Sequence, residues 1–268
     1  MTHHILIAGG GIGGMAAAVA LLNRGHDVDV FEQAPELKEF GAGVQISPNG
    51  TRALHALGVL KTLRQLSCDT EGKEVRLWNT GRTWKLFDLG AEAIERYGFP
   101  YVTVFRPDLL QVLVDAVRAR KSDAIHLGRR AANVTQHDGR VTLELEDGET
   151  IEGDALIGAD GVHSVIRHKL YGGDRPCFFG MIAWRGVIPM ERVPREISRD
   201  KATNWIGVGG PNPPRESFKS CTGMKAPGVL NAHEAKIGPS DVWLLITALS
   251  ARPSTHSVPI WFAPLRLS

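Results

Sequence analysis

Apolar residues along this chain follow three rhythms. Short unbroken apolar runs at residues 5–8 and 155–157, and the β-rich stretch 101–105, have the length of buried strands. A period near two marks residues 74–78 and 83–89 around Asn79-Thr80-Gly81, and residues 141–145 and 150–151 around Asp147-Gly148. Both pairs predict hairpins. A helical period places Leu110, Leu113, Val114 and Val117 on one face of a segment that opens with Arg106 and Pro107. Ala16, Ala17, Ala18 and Ala20 predict a close-packing helix that stops near Gly25, and residues 26–31 follow as a strand. Ser47 and Pro48 predict the cap and first residue of another helix, with Gly58 as its stop. Residues 179–188 and 202–210 read as later strands, and residues 163–170 as a helix. His55 is expected in the core or at its boundary.

Glycine gives the pattern its chemistry. The first strand runs into Gly9-Gly10-Gly11-Ile12-Gly13-Gly14, which supplies GxGxxG as Gly9, Gly11 and Gly14. Gly9 permits a tight turn, Gly11 lets backbone approach a pyrophosphate, and Gly14 lets helix and strand pack closely. The helix N-terminus, with Ile12 and Gly13, offers unpaired N–H groups and a positive dipole end to phosphates. Glu32 closes the second strand at the distance where an acid accepts from a ribose hydroxyl, and it would repel a 2′-phosphate, so NADP is disfavoured there. A glycine turn needs no ligand by itself; here strand, turn, helix, strand and acid coincide. A second turn, Gly158-Ala159-Asp160-Gly161, again joins an apolar strand to a helix. Its bland reading is a helix cap at Asp160.

An NAD-binding unit usually continues into another βα pair. This chain instead inserts Gly41-Ala42-Gly43 and a short strand before its next helix. In these features it resembles the single-component FAD-dependent aromatic hydroxylases, over about residues 5–210. The resemblance implies an α/β, Rossmann-like FAD-binding fold with an interleaved mixed-sheet substrate domain. It divides the chain into an FAD-binding part, residues 1–70 and 100–175, and a partial substrate domain, residues 71–99 and 176–210. It places Gly41, Ala42 and Gly43 near the flavin, and Arg106 near the diphosphate or ribityl chain, where a guanidinium suits phosphate oxygens. A solvated helix-start cation is the alternative for Arg106. It assigns Asp160 and Gly161 to FAD and transient nicotinamide binding, and the 141–151 hairpin to a small sheet over the adenine end. Val134 joins the candidate cofactor contacts on the same ground.

The implied activity is hydroxylation of a phenolic or aromatic acid with NAD(P)H and O₂, through a flavin C4a-hydroperoxide. The weighed alternatives are an epoxidase or isoprenoid reductase of the same fold, and a non-catalytic FAD- or ADP-binding remnant. A homodimer is implied too.

From Pro211 onward the likeness stops. Pro211 stands near the place of the family's phenol-directed histidine, so no catalytic residue is assigned. The family's GDAAHP-type third motif is missing, and Gly173-Asp174 has no strand before it. Residues 211–268 are expected to be an atypical tail, rich in breakers and without a compact core, in which only 242–249 could form a strand or short helix. The expected fold is therefore incomplete at its C-terminus, with activity impaired or lost.

Bulk properties narrow the setting. Lys plus Arg is 31 against 29 for Asp plus Glu, too even to argue for nucleic acid or acidic lipid. Three cysteines without a CxxC pair suggest a reducing compartment. With no leader pattern and no apolar run of roughly 20 residues, a cytoplasmic protein is expected. The histidines lack ligand spacing, so no metal site is expected.

Overall fold

The computed structural model describes residues 1–37, 43–77, 80–172, 181–189, 201–206, 220–225 and 242–251; from residue 181 onward it describes side chains only at 201–204. Gly41, Ala42, Gly173, Asp174 and Pro211 lie outside the described residues.

The apolar runs become a four-stranded, all-parallel sheet. β1 (His4–Ala8) lies between β12 (Ala155–Gly158) and β2 (Asp27–Glu32), and β8 (Ile125–Leu127) adds the outer strand beyond β2. Period two explains why β1 is apolar from Ile5 to Ala8. Ile7 packs with Val28 and Val30 into one core, while Leu6 and Ala8 pack with Phe31 into another on the opposite face. The first core is closed by α1 (Ile12–Leu22) and α5 (Arg106–Arg118), which pack on each other. Met15, Ala18 and Val19 of α1 share that core with the buried Leu110, Leu113, Val114 and Val117 face of α5. Full burial of a side chain such as Leu113 contributes about 1.5–3 kcal/mol.

The second core is covered by an antiparallel sheet of β9 (Ala131–His137), β10 (Arg140–Leu145) and β11 (Thr150–Gly153), which presents Ala131, Leu143 and Leu145 to it. Gly148, with φ +86°, makes the hairpin turn between β10 and β11. A third sheet joins β3 (Gly43–Ile46), β7 (Val102–Phe105) and β4 (Ser67–Asp69). α2 (Pro48–Ala56) starts at Pro48 and ends before Gly58, which has φ +80°. α3 (Leu60–Leu66) follows.

The largest sheet has six strands, in the order β13 (Met181–Pro189), β16 (Val242–Ala251), β15 (Ser220–Lys225), β14 (Lys201–Ile206), β5 (Gly72–Leu77), β6 (Thr83–Asp88). β5 and β6 form the expected hairpin through Gly81, φ +68°. α4 (Ala91–Tyr97) and α6 (Val165–Tyr171) complete the elements.

The C-terminal segment gains two strands, and one expectation, at His55, changes. Of residues 211–268 the described stretches 220–225 and 242–251 form β15 and β16, paired inside the six-stranded sheet, and β16 covers the 242–249 stretch expected as a strand or short helix. β15, Ser-Cys-Thr-Gly-Met-Lys, has no apolar alternation to announce it. His55 is exposed, its ring edge-on to Phe99 at 5.5 Å. The buried face of α2 is Thr51 and Leu54, one helical step behind, and the Thr51 hydroxyl is paid for by a 2.8 Å bond to the Pro100 carbonyl.

Candidate functional site

The two glycine turns sit at the C-terminal ends of adjacent parallel strands and touch. Ile5 to Ala8 pair in register with Ala155 to Gly158, and the Ala159 N–H donates to the Ala8 carbonyl at 2.7 Å. Gly9 has φ +109°, and a Cβ there would lie 2.2 Å from the Ala159 carbonyl oxygen and 2.8 Å from the Asp160 nitrogen. Only glycine lets the turns meet. Gly14 is equally confined: its Cβ would stand 1.9 Å from the Gly9 carbonyl oxygen, the close helix–strand approach the motif requires. Gly11 and Gly13 are different, because a Cβ on either meets nothing within 4 Å. Gly11 lines the cleft at the head of α1, and Gly13 is exposed beside it.

That helix start suits an anion. Gly11 is its N-cap and offers no side-chain cap, no acid occupies the first turn, and the first intrahelical bond runs from the Met15 N–H to the Gly11 carbonyl at 2.9 Å. The amides before Met15 therefore have no intrahelical acceptor. A cleft of about 210 Å³ opens there, lined by Gly9, Gly11, Glu32, Ala159, Asp160 and Gly161, with Phe31, Gln33, Arg130, Ala131, His163 and Val165. Open space over two glycines and a bare helix start fit a bound pyrophosphate.

Both acids of the cleft are engaged by backbone. Glu32 Oε2 accepts from the Gly10 N–H at 2.6 Å, and its Oε1 from the Ala34 N–H at 2.9 Å. Asp160 Oδ2 accepts from the N–H groups of Val165 and Ile166 at 2.7 and 3.1 Å, and its Oδ1 from the Ser164 hydroxyl. Asp160 thus binds the start of α6, whose own cap, Ser164, accepts from the Arg167 N–H at 2.9 Å. The bland reading of Asp160 describes its bonds within the chain, and its place in the cleft wall comes in addition.

Gly161 lines the cleft, whereas Ile12, Gly13, Gly43 and Val134 are not among its lining residues. Ile12 opens α1 and packs partly into the helix-side core, while Gly13 beside it is exposed. Gly161, φ +82°, shapes the second turn. Gly43 begins β3 opposite Phe105, which places it beside the residue before Arg106, the first residue of α5. Val134 is not among the residues lining the cleft; it packs against the core between the two sheets.

The sequence reading also missed participants. Gly10 is needed because a Cβ there would be 2.9 Å from Glu32 Cβ. Gln33, the residue after the acid, and Arg130, which pairs with Glu146 at 3.0 Å, enter the wall from opposite strand ends. Position next to Glu32 could have signalled Gln33; nothing local signals Arg130.

A charged cluster outside the cleft centres on Asp29. Asp29 Oδ2 meets His4 Nε2 at 2.8 Å, and its Oδ1 meets His126 Nε2 and Lys121 Nζ, both at 3.0 Å. Burial alone would push this carboxyl up, but the hydrogen bonds from His126, His4 and Lys121, with the lysine charge, outweigh it and hold the carboxyl below its usual range. His4, Asp27 and Asp29 are close enough to share a cation, yet the Lys121 ammonium already bonds both carboxylates, at 2.8 and 3.0 Å. Asp108, in the first turn of α5, is pushed up to about 6 by burial.

A parallel sheet with helices on one face and an antiparallel sheet on the other, with paired glycine turns at the carboxyl ends of neighbouring strands, defines a dinucleotide-binding α/β protein. The chain belongs to the FAD-binding domain family, whose model matches residues 2–214. The 3-amino-4-hydroxybenzoate 2-monooxygenase of Streptomyces cremeus is 38% identical over 205 residues, 76% of this chain and 51% of the relative. The 3-hydroxybenzoate 6-hydroxylase 1 of Aquipseudomonas alcaligenes is 37% identical over 212 residues, 78% of this chain and 53% of the relative. The chain spans about half the length of the curated relatives it matches. Among solved structures, the tetrameric form of 2-methyl-3-hydroxypyridine-5-carboxylic acid oxygenase has a TM-score of 0.68 at 26% identity, covering 97% of this chain and 62% of that one. HpxO of Klebsiella pneumoniae in complex with FAD and uric acid has a TM-score of 0.73 over 95% of this chain and 58% of that one; at 24% identity this is a likeness of fold. FAD is the family's cofactor, and the α/β fold read from the glycine pattern is the fold observed. Among the described residues, no helix is long and apolar enough to cross a membrane.

Proposed function

We propose that the cleft between the two glycine turns holds the ADP half of FAD, and that the protein hydroxylates a hydroxyl-bearing aromatic acid with NAD(P)H and O₂. The observation behind the cofactor site is the contrast among the glycines: Gly9 and Gly14 are jammed against neighbours, while Gly11 and Gly13 face open space at a bare helix start. In this reading the amides at the head of α1 receive the pyrophosphate, and the missing side chain of Gly11 leaves room for it. Gly161 and Asp160 form the opposite wall, and Asp160 keeps that wall in place by holding α6. Glu32 lies at the ribose end. Arg106, with Gly41, Ala42 and Gly43, lies toward the ribityl chain and flavin; this placement rests on the family resemblance.

Bound FAD supplies the redox chemistry, accepting electrons from NAD(P)H and activating O₂ for insertion of one oxygen atom. The chain's own share is to bind and orient the cofactor and to keep water from it. The substrate class follows from the relatives, whose names specify 3-amino-4-hydroxybenzoate, 3-hydroxybenzoate and 6-hydroxynicotinate, each a ring with a hydroxyl and a carboxylate. A homodimer is proposed on the resemblance. The test is a flavin titration of the purified chain, followed by NADH oxidation and product chromatography with 3-hydroxybenzoate. FAD binding is the expected result for this chain, with formation of hydroxylated product impaired or lost. A folded chain that binds no FAD would sink the site, and NADH oxidation that no hydroxylated ring acid stimulates would sink the substrate class.

A further inference from the structure

We infer that Glu32 is a positioning residue, which acts on the cofactor chiefly by holding the glycine turn in its binding conformation; this rests on the reading that the cleft holds FAD. The carboxylate is turned toward the turn. One oxygen accepts from the Gly10 N–H at 2.6 Å and the other from the Ala34 N–H at 2.9 Å, so the side chain spans from the turn after β1 to the backbone just beyond β2. Bonds of this kind, with one partner ionised, are the stronger class.

Packing points the same way. A Cβ on Gly10 would lie 2.9 Å from Glu32 Cβ and 3.1 Å from both its Cγ and Oε2, so turn and acid lie in direct contact. The residue before the acid holds the preceding amide: the Gly9 N–H donates to the Phe31 carbonyl at 2.8 Å. The last two residues of β2 therefore fix the first two amides of the turn in succession. A run of consecutive glycines has wide conformational freedom before folding. Anchoring Gly9 and Gly10 sets the direction in which Gly11 and the head of α1 leave, and hence where the amides that remain for a pyrophosphate point. The ligand class is any ADP-bearing dinucleotide, and the ribose hydroxyls are secondary to it.

The test separates the turn from the ribose. Amide hydrogen exchange is measured on the FAD-free chain. The Gly10 amide should be protected in the unaltered protein, and in Glu32→Ala it should exchange about tenfold faster while Leu6 and Ile7 of β1 stay unchanged. FAD and its 2′,3′-dideoxyadenosine analogue are then titrated into both proteins. Glu32→Ala should weaken both ligands by the same factor, about tenfold. If the loss vanishes for the analogue, Glu32 acts through the ribose and the inference is wrong. Where Glu32→Ala does not fold, the unaltered chain decides. A protected Gly10 amide with near-equal affinity for FAD and the analogue supports the turn role, and rapid Gly10 exchange in a chain that binds FAD overturns it. Failure of the unaltered chain to bind either ligand overturns the cofactor site instead.

Discussion

Gly9 and Gly11 stand two residues apart and should respond to substitution in opposite ways. Gly11 has φ −71° and ψ −178°, an extended conformation any residue adopts, and its missing side chain points into open space. Gly11→Val should leave the thermal midpoint nearly unchanged, within about 0.5 kcal/mol, and abolish flavin retention in a titration. Gly9→Ala should cost more than about 2 kcal/mol in chemical denaturation, because a Cβ at φ +109° drives into the Ala159 carbonyl. Retained FAD in folded Gly11→Val would remove the cleft from consideration. Asp160→Ala should lower stability by about 1–2 kcal/mol, the usual effect of a lost cap, since the amides of Val165 and Ile166 lose their acceptor. At this scale the sequence was informative wherever a residue type is dictated by its own backbone. Gly9, with φ +109°, is such a case, and Gly14 is fixed almost as locally, by the Gly9 carbonyl five residues before it. Arg130 was not readable, because it reaches the wall only after β8 and β9 have been placed.

Two carboxylates in different elements give opposite pH slopes. Asp29 binds β1 and β8 through His4 and His126 and the segment after α5 through Lys121. Its folded pKa is depressed, so its stabilisation is present above the ordinary carboxyl pKa of about 4 and is lost as pH falls through the folded value. Asp29→Asn should be about 1–2 kcal/mol less stable at neutral pH and should lose less on acidification. Asp108 runs the other way. Its folded pKa is raised to about 6, so native structure is favoured when it is protonated, and that advantage fades as pH climbs from about 4 to about 6. Asp108→Asn should match the unaltered chain near pH ~4 and exceed it modestly at neutral pH. Denaturation midpoints across pH check both signs. The helices and strands themselves were legible from period and punctuation, as in the Pro48 start and Gly58 stop of α2. His55 was misplaced because neighbouring helical positions differ by about 100°, and the apolar face was set one residue too far. β15 was invisible because its strand conformation is imposed by the neighbours it pairs with, β14 and β16.

For the molecule as a whole, β16 joins β13 to β15 in the largest sheet. Among the described residues β13 pairs with β16 alone, from Met181 opposite Ala251 to Pro189 opposite Trp243. A chain ended after residue 241 should therefore lose β13 as well as β16, read as faster proteolysis between residues 181 and 189. Unchanged resistance there would show that β13 is held by something other than β16. The order of strands within each sheet could not be read from the sequence, since pairing joins segments far apart in the chain. β1 is such a segment. Its partner β12 lies about 150 residues downstream, and the wall against Gly9 is Ala159, one residue beyond that strand. During synthesis the glycine turn leaves the ribosome long before its other half exists. At elongation rates of about 5–20 residues per second, the first turn waits on the order of ten seconds for the second. The nascent protein must pass that interval with the turn supported from one side, and cofactor capture belongs to the time after Ala159 has emerged.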